Sequence, residues 1–385
     1  MIKISIDETV TTELKASLLA KGIDFDLDLF KDIEIPFYDN QFVYGKTSEH
    51  VTPKSRFPQV LELGDDIIVA LLRRQNTPWN LRIEDREVQL YEGSEHIRQI
   101  KLPERPAYFD KTLSDGTPSE SIIAVAGADT PGFFLYPDCF YFPEGKPCGF
   151  CSMKSTRNTV GKSMVSEFSE ANIREATQLF QRTPWRDIPL VSITMGTPRT
   201  DDESREQVIK PIRWMYESLE PKIPIHLLAH PPKDYALIEE YKEAGVTSIA
   251  FNMEVYDHKR FQEVCPGKAK FYGYDKWEEA LMQAKDVFGE FQVYCGLVWG
   301  LESLESSIAG HEHFLERGIG IASNIFHADP RSVLRKYHQP SEEQILQIAR
   351  AESEIYKANP HVGTIFSVSM RSTLDWEVRR GDIRK

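Results

Sequence analysis

The stretch FFLYPDCFYFPEGKPCGFCSMK (Phe133–Lys154) joins an apolar, strand-like run to a loop that holds three cysteines. Cys139, Cys148 and Cys151 are spaced C-x8-C-x2-C and fall within thirteen residues. The chain has five cysteines in all, the others being Cys265 and Cys295. An odd count spread in this way is a poor disulfide framework, and the clustering points to metal. Three thiolates from one short loop can bind three irons of a cubane cluster and leave the fourth iron open for chemistry. Pro137, Pro143, Gly145, Pro147 and Gly149 allow the loop a tight wrap, and Phe150 can shield a cluster from water. A three-cysteine zinc site is the alternative. It needs a fourth ligand, and no histidine lies between Ile97 and His226, so that ligand has to come from elsewhere in the fold. Three unconnected structural cysteines rank below both, because free cysteines favour cores over loops.

Six apolar runs read as strands: FFLYP (Phe133–Pro137), LVSITMG (Leu190–Gly196), IPIHLLAH (Ile223–His230), TSIAFNME (Thr247–Glu254), QVYCGLVWG (Gln292–Gly300) and IASNIFHA (Ile321–Ala328). The amphipathic stretches between them read as helices. Ser169, Asp202 and Asp275 stand as N-caps, and Lys233–Asp234 open a helix that runs through Glu243. Gly245, Gly289 and Gly318 close three helices, and a last one runs from Ser341–Glu342 to about Ala358. Continuous apolar strands separated by helices imply parallel pairing buried on both faces. The fold class is therefore α/β, as a doubly wound sheet or a partial barrel. Both architectures put chemistry at the carboxyl ends of the strands.

Residues 1–120 break the pattern. A helix over Thr11–Lys21 and strands over Asp66–Arg73, Trp79–Ile83 and Glu87–Tyr91 predict a small α+β N-terminal region, and GSEHIRQIKLPERP leads from it towards the barrel. SDGTPSE (Ser114–Glu120) reads as the linker to a second unit at 121–385. The formal net charge of −13, from 46 basic and 59 acidic side chains, argues against broad phosphate-driven nucleic-acid binding. No stretch approaches the ~20 apolar residues of a membrane helix. The opening MIKISIDETVTTELKAS has early acids and no apolar core of a signal peptide. The expectation is a cytoplasmic protein with neither a nucleic-acid nor a membrane partner.

With these elements in order, the chain resembles the radical S-adenosylmethionine (SAM) superfamily, and within it the biotin synthase-like group, over roughly residues 130–360. The superfamily's usual loop is C-x3-C-x2-C. Here the first gap carries five extra residues, while the C-x-aromatic-C ending is kept in Cys148-Gly149-Phe150-Cys151. Where the family has a Gly-Gly-Glu-Pro-like motif, this chain reads Met195-Gly196-Thr197-Pro198. The resemblance implies that backbone groups at Gly196, Thr197 and Pro198 hold the SAM amino group, with Thr197 replacing the glutamate. Without the resemblance the same residues are a glycine–proline turn. Glu254, ending an apolar strand, stands where related enzymes place a polar residue on the SAM ribose or amino acid; otherwise it is an acid opening a helix. Lys268 and Lys270 can meet the SAM carboxylate or simply be exposed. GLVWGLES (Gly296–Ser303) resembles a G-x-I-x-G-x-x-E motif near adenine, which implicates Gly296, Gly300 and Glu302. FHADPRSVL (Phe326–Leu334) stands where relatives contact adenine or substrate, which implicates His327, Asp329 and Arg331; alone it is an Asp-Pro turn. RPAYFDKTLSDGTP and the Pro-Gly-Lys segment at 266–268 resemble radical SAM proteins encoded beside nitrilases, a likeness that bears on class more than on substrate.

The resemblance selects a partial (βα)6 TIM-like barrel. It implies a [4Fe–4S] cluster on Cys139, Cys148 and Cys151, with SAM on the open iron. Reductive cleavage of SAM then gives a 5′-deoxyadenosyl radical that abstracts hydrogen from the substrate. The protein positions the reacting carbon and excludes solvent. A reductant such as flavodoxin or ferredoxin is the implied partner. Cys265 and Cys295 cannot alone ligate a second all-cysteine cluster, and the N-terminal region lacks an Asp-x-His-x-x-Gly cobalamin signature. Sulfur insertion from a second cluster and B12-dependent methylation are therefore disfavoured. His230, His327, Asp329 and Arg331 at strand ends suggest a small polar metabolite bearing a carboxylate or amine. Two other readings stay open. One is a radical SAM enzyme modifying a ribosomal peptide; the other is a zinc-dependent α/β hydrolase-like enzyme using the three cysteines and a distant histidine.

Overall fold

The computed structural model describes residues 8–31, 33, 57–64, 66–127, 129–160, 165, 167–183, 185, 187–366, 369–381 and 383. The chain opens with α1 (Glu8–Lys21), a hairpin of β1 (Val60–Gly64) and β2 (Ile67–Ala70), and an antiparallel sheet of β3 (Trp79–Glu84), β4 (Glu87–Glu92) and β5 (Glu95–Ile100). The main sheet holds β6 (Ala124–Ala126), β7 (Thr130–Tyr136), β8 (Val191–Met195), β9 (Ile225–Ala229), β10 (Ser248–Phe251), β11 (Val293–Trp299) and β12 (Gly320–Ile325). Its spatial order is the sequence order, β7 to β12 pair in parallel, and short β6 runs antiparallel beside β7. A doubly wound sheet needs a point where strand order reverses. This sheet has none among the described strands, so right-handed crossovers put the helices on one face and the sheet curls as a partial TIM-like barrel.

The helices are α2 (Met153–Val160), α3 (Glu170–Arg182) and α4 (Asp201–Ser204), the last passing through a π-helical turn at Arg205–Ile209 into α5 (Lys210–Ser218). After them come α6 (Ala236–Glu243), α7 (His258–Val264), α8 (Pro266–Phe271), α9 (Tyr274–Phe288), α10 (Leu304–Glu316), α11 (Glu342–Ala358) and α12 (Asp375–Arg380). Ser169 and Ser341 cap α3 and α11, and Ser341 completes a capping box with Gln344. Two expected caps move. Thr200, not Asp202, caps α4, and Gly273 precedes α9 while Asp275 lies in its first turn, where acids favour the helix dipole. Asp234 stays outside α6 and accepts from the Ala236 amide at 3.1 Å. The stretch expected to lead to the barrel instead supplies β5, which pairs with β4.

Register assigns the two faces of the sheet. From β8 to β12 each ladder pair joins residues of one parity: Ser192 with His226, His226 with Ser248, Ala250 with Tyr294, Gly296 with Ala322. Side chains alternate along a strand, so parity is face. Odd positions face the helices: Ser323 bonds His311 of α10, and Ile193, Ile225, Leu227, Ile249, Phe251, Val293 and Cys295 are buried. Even positions line the concave face, with Ser192, Thr194, Leu228, Asn252 and Asn324 beside the His226–Ser248 pair. The register shifts between Phe134 and Tyr136, where β7 runs out into the cysteine loop.

The N-terminal elements pack on the last ones. Lys15 of α1 is fully buried and bonds Glu377 Oε1 (2.6 Å), the Met370 carbonyl (2.7 Å) and Ser369 Oγ (3.0 Å). The Ala70 amide donates to Arg371 O and the Ile325 amide to Ser372 O, both at 2.8 Å, so this segment laces β2 to the edge of β12.

Candidate active site

The cysteine loop leaves the carboxyl end of β7 and is fixed at many points. The Cys139 amide is bonded by Asp138 Oδ1 (2.9 Å), and the Phe140 amide donates to the Thr197 carbonyl (3.0 Å). Burial pushes the Cys139 thiol up, while hydrogen bonds from the Thr197 hydroxyl and from the Tyr141 and Thr197 amides pull it back. Gly149, between the last two cysteines, is held on both sides: its amide donates to Val264 O (2.7 Å) and its carbonyl accepts from Leu334 N (2.8 Å). Ser152, next to Cys151, donates to Asp329 Oδ2 at 2.8 Å, and Asp329 also accepts from the Arg331 amide (2.8 Å). β7 and β12 are the outermost strands of the parallel array. The loop after the first is therefore fastened to the loop after the last, across the carboxyl ends of the strands between them.

Aromatic packing supports the loop from outside. The Tyr141 ring stacks on Phe271, and its hydroxyl lies 2.7 Å from His230 Nε2. His230 Nδ1 lies 2.6 Å from the Pro231 carbonyl, so it carries the proton and Nε2 accepts from Tyr141. Burial, with Lys268 nearby, lowers the His230 pKa to about 3 and keeps the imidazole neutral. The segment Cys265-Pro266-Gly267-Lys268 presses on the same loop. A Cβ on Gly267 would meet Lys146 O and the Tyr141 ring at 2.5 Å.

Glu254 follows β10 with φ 75°, a left-handed conformation that costs a non-glycine residue ~1–3 kcal/mol and persists where its surroundings fix it. Its amide donates to Gly296 O (2.7 Å), its carbonyl accepts from Val298 N (2.8 Å), and its Oε1 accepts from Lys268 Nζ (2.7 Å). Lys268 is buried, also bonds Asn252 O (2.6 Å) and lies 4.6 Å from the centre of the Trp277 ring. Burial works against its charge, but Glu254, Cys148 and Cys265 outweigh it and the pKa is raised. Gly296 gives room to Asn252, whose Oδ1 accepts from the Gly296 amide at 2.9 Å.

Other residues singled out in the sequence lie apart from this cluster. Both oxygens of Glu302 are taken up by the Tyr256 and Asp257 amides (2.7–3.1 Å), which fastens the loop after β10, and burial raises its carboxyl. Gly300 turns with φ 94° under the Pro340 ring. His327 is half-buried just beyond β12. Sequence reasoning missed the Lys268–Glu254 pair, the Ser152–Asp329 bond and the place of Cys265 beside Cys148. The run Cys265-Pro-Gly-Lys268 was the available signal, since a glycine after proline at a helix start asks what lies against it.

Three thiols on one loop at strand ends are a donor set whose chemistry suits an iron–sulfur cluster. Among the described residues no three His, Cys, Asp or Glu side chains are gathered tightly enough to hold a metal ion. Among the described residues, too, no helix is long and apolar enough to cross a membrane.

In its curled parallel sheet the chain shares the partial-barrel fold of a solved structure, and it is similar in sequence to a curated hydroxylase. No family model matches it. It is 21% identical over 306 residues to bacteriochlorophyllide c C-7(1)-hydroxylase of Chlorobaculum limnaeum, covering 76% of each chain. Among solved structures it is similar to HydG, a maturase of the [FeFe]-hydrogenase, with a TM-score of 0.50, 15% identity, and 69% of this chain and 56% of that one covered. A weaker likeness, with a TM-score of 0.38 and 16% identity, is to coproporphyrinogen III oxidase (HemN) from Escherichia coli, described as a radical SAM enzyme; it covers 61% of this chain and 55% of that one. The chain thus spans little more than half the length of these two solved structures.

Proposed function

We propose that Cys139, Cys148 and Cys151 hold one [4Fe–4S] cluster and that the enzyme abstracts hydrogen from a small polar substrate on the concave face of the barrel. The observation that carries this reading is the convergence on one three-cysteine loop of the segments that follow β8, β10 and β12, through Thr197, Val264 and Asp329. When bound, the cluster supplies the electron that cleaves SAM to methionine and a 5′-deoxyadenosyl radical. Gly196, Thr197 and Pro198 offer backbone groups to the SAM amino group, and Glu254 a carboxylate to its ribose or amino acid. Gly296, Gly300, Glu302 and His327 bound the adenine end in the same reading. Phe140, Tyr141 and Phe150 keep water from the thiols. Substrate recognition falls to the hydroxyl and amide groups of Ser192, Thr194, Ser248 and Asn252. A hydroxylation also begins at a C–H bond, so the name of the curated relative is compatible with hydrogen abstraction here.

A flavodoxin or ferredoxin is the fitting electron donor, and residues 1–120 serve as an accessory region to a barrel unit at 121–385. An oxygen-sensitive centre suits the cytoplasm. Zinc is the competing occupant, and Cys265 gives that reading a fourth thiol beside Cys148. Metal analysis separates the two. Anaerobic reconstitution of the full chain should give a brown protein with about four irons per chain, whose reduced electron paramagnetic resonance signal changes when SAM is added. A colourless protein that retains zinc and takes up no iron refutes the proposal.

A further inference from the structure

The reading above leaves Cys265 without a task. It is fully buried at the junction of α7 and α8, beside Cys148. The backbone fixes this encounter. The Gly149 amide, next to Cys148, donates to the carbonyl of Val264, next to Cys265, at 2.7 Å. The Cys265 amide is held by Phe261 O at 2.8 Å, and Gly267 is wedged beneath Lys146 and Tyr141. Neither segment can drift from the other without breaking several of these contacts. Cys148 is half-buried, whereas Cys265 is fully buried. A partly open thiol backed by a buried one is the arrangement of an attacking and a resolving cysteine.

We propose that Cys148 and Cys265 form an oxidative modification site, at which hydrogen peroxide converts the cluster-free protein to a Cys148–Cys265 disulfide. The Cys148 sulfur attacks one peroxide oxygen and the O–O bond breaks. The released hydroxide takes the thiol proton and leaves as water, and Cys148 becomes a sulfenic acid. The Cys265 sulfur then attacks the Cys148 sulfur. The S–O bond breaks, and the second hydroxide leaves as water with the Cys265 proton. Two thiols are thereby oxidised by two electrons, and one peroxide is reduced to two waters. The Gly149–Val264 backbone bond keeps the two residues side by side, and the sulfurs must close to the ~2.05 Å of a disulfide. The bond holds Cys148 at a reversible oxidation state and withdraws it from metal until a dithiol restores it. Cys151, three residues on, is the competing partner, its amide bonded to Cys148 O at 3.0 Å.

The test uses the full iron-free chain, so its outcome does not depend on the cluster reading. The chain is treated with one equivalent of hydrogen peroxide, alkylated, digested without reduction and mapped by mass spectrometry. The expected product is a peptide pair joining Cys148 to Cys265, lighter by two hydrogens than the reduced peptides, with Cys295 still free. In Cys265→Ser the same treatment, with dimedone added, should leave Cys148 as a trapped sulfenic acid, while Cys295→Ser behaves as the parent chain. A dominant Cys148–Cys151 link overturns the proposal. So does equal trapping of sulfenic acid at Cys148 with and without Cys265.

Discussion

A single methyl group at Gly196 should cost the cysteine loop its geometry. The added Cβ would overlap the Asp138 carbonyl oxygen and lie 2.7 Å from its carbonyl carbon and 3.1 Å from Met153 Cε. Carbon–carbon contacts settle at ~3.5–4.0 Å and the overlapping oxygen must move further than the carbon, so the Asp138 peptide must retreat by roughly 1–1.5 Å. It has no free direction. The Gly196 amide is bonded to Tyr136 O (2.7 Å), Asp138 Oδ1 to the Cys139 amide (2.9 Å), and the Phe140 amide to Thr197 O (3.0 Å). The displacement therefore reaches Cys139. Overpacking of this kind costs ~1–3 kcal/mol of stability. A shift of about 1 Å in a reacting assembly lowers the rate roughly 100-fold. Urea unfolding of the iron-free Gly196→Ala chain, its iron content after reconstitution and its rate of 5′-deoxyadenosine formation measure both effects. Gly145→Ala is the control in the same loop. Its φ of 67° is unfavourable for alanine, but nothing lies within 4 Å of the new Cβ, so the cysteines stay in place. A Gly196→Ala enzyme that unfolds, loads iron and forms 5′-deoxyadenosine like the parent would refute this reasoning.

Lys15→Met leaves Glu377 buried without its cation and should cost ~3–5 kcal/mol in chemical denaturation. The double change Lys15→Met with Glu377→Leu should recover most of that loss. His226 is 3% exposed, and burial lowers its pKa to about 3. Below ~6.5 the unfolded chain binds a proton that the folded chain refuses, so this histidine's contribution falls by about 1.4 kcal/mol per pH unit as pH drops from ~6.5 towards its folded pKa. His226→Asn, which keeps a polar partner for Ser248, should flatten the stability–pH curve by that slope across the window; an unchanged curve counts against a buried neutral imidazole. Asp329→Ala removes the acceptor of Ser152 and should speed iron loss to a chelator severalfold, with unfolding cost limited to ~1–3 kcal/mol. Iron retention equal to the parent would mean that the bond across the strand ends does not hold the loop.

The repeating part of the fold was open to reading because its signal is local. Each of the six parallel strands is an apolar run long enough to be buried on both faces, and observed bounds such as Val191–Met195 and Val293–Trp299 lie inside the expected runs. Helix caps were less secure. Thr200 and Asp202 are both good capping residues two positions apart, and the choice depends on where the chain turns after Pro198. The choice between doubly wound sheet and barrel lies in strand order, to which periodicity is blind. In the site, the three cysteines carry their meaning in their spacing. Glu302 stands on a motif, yet its oxygens serve the Tyr256 and Asp257 amides, a use that only the neighbouring loop reveals. Lys15 and Glu377 are 362 positions apart, and no local pattern links them.

The most direct test of the central claim is to add SAM and dithionite to the anaerobically reconstituted chain and look for 5′-deoxyadenosine by mass spectrometry, with Cys148→Ala alongside. The account expects 5′-deoxyadenosine from the parent chain and none from the variant. A parent chain that carries iron yet forms none with candidate substrates present, or a variant that forms as much as the parent, would contradict it.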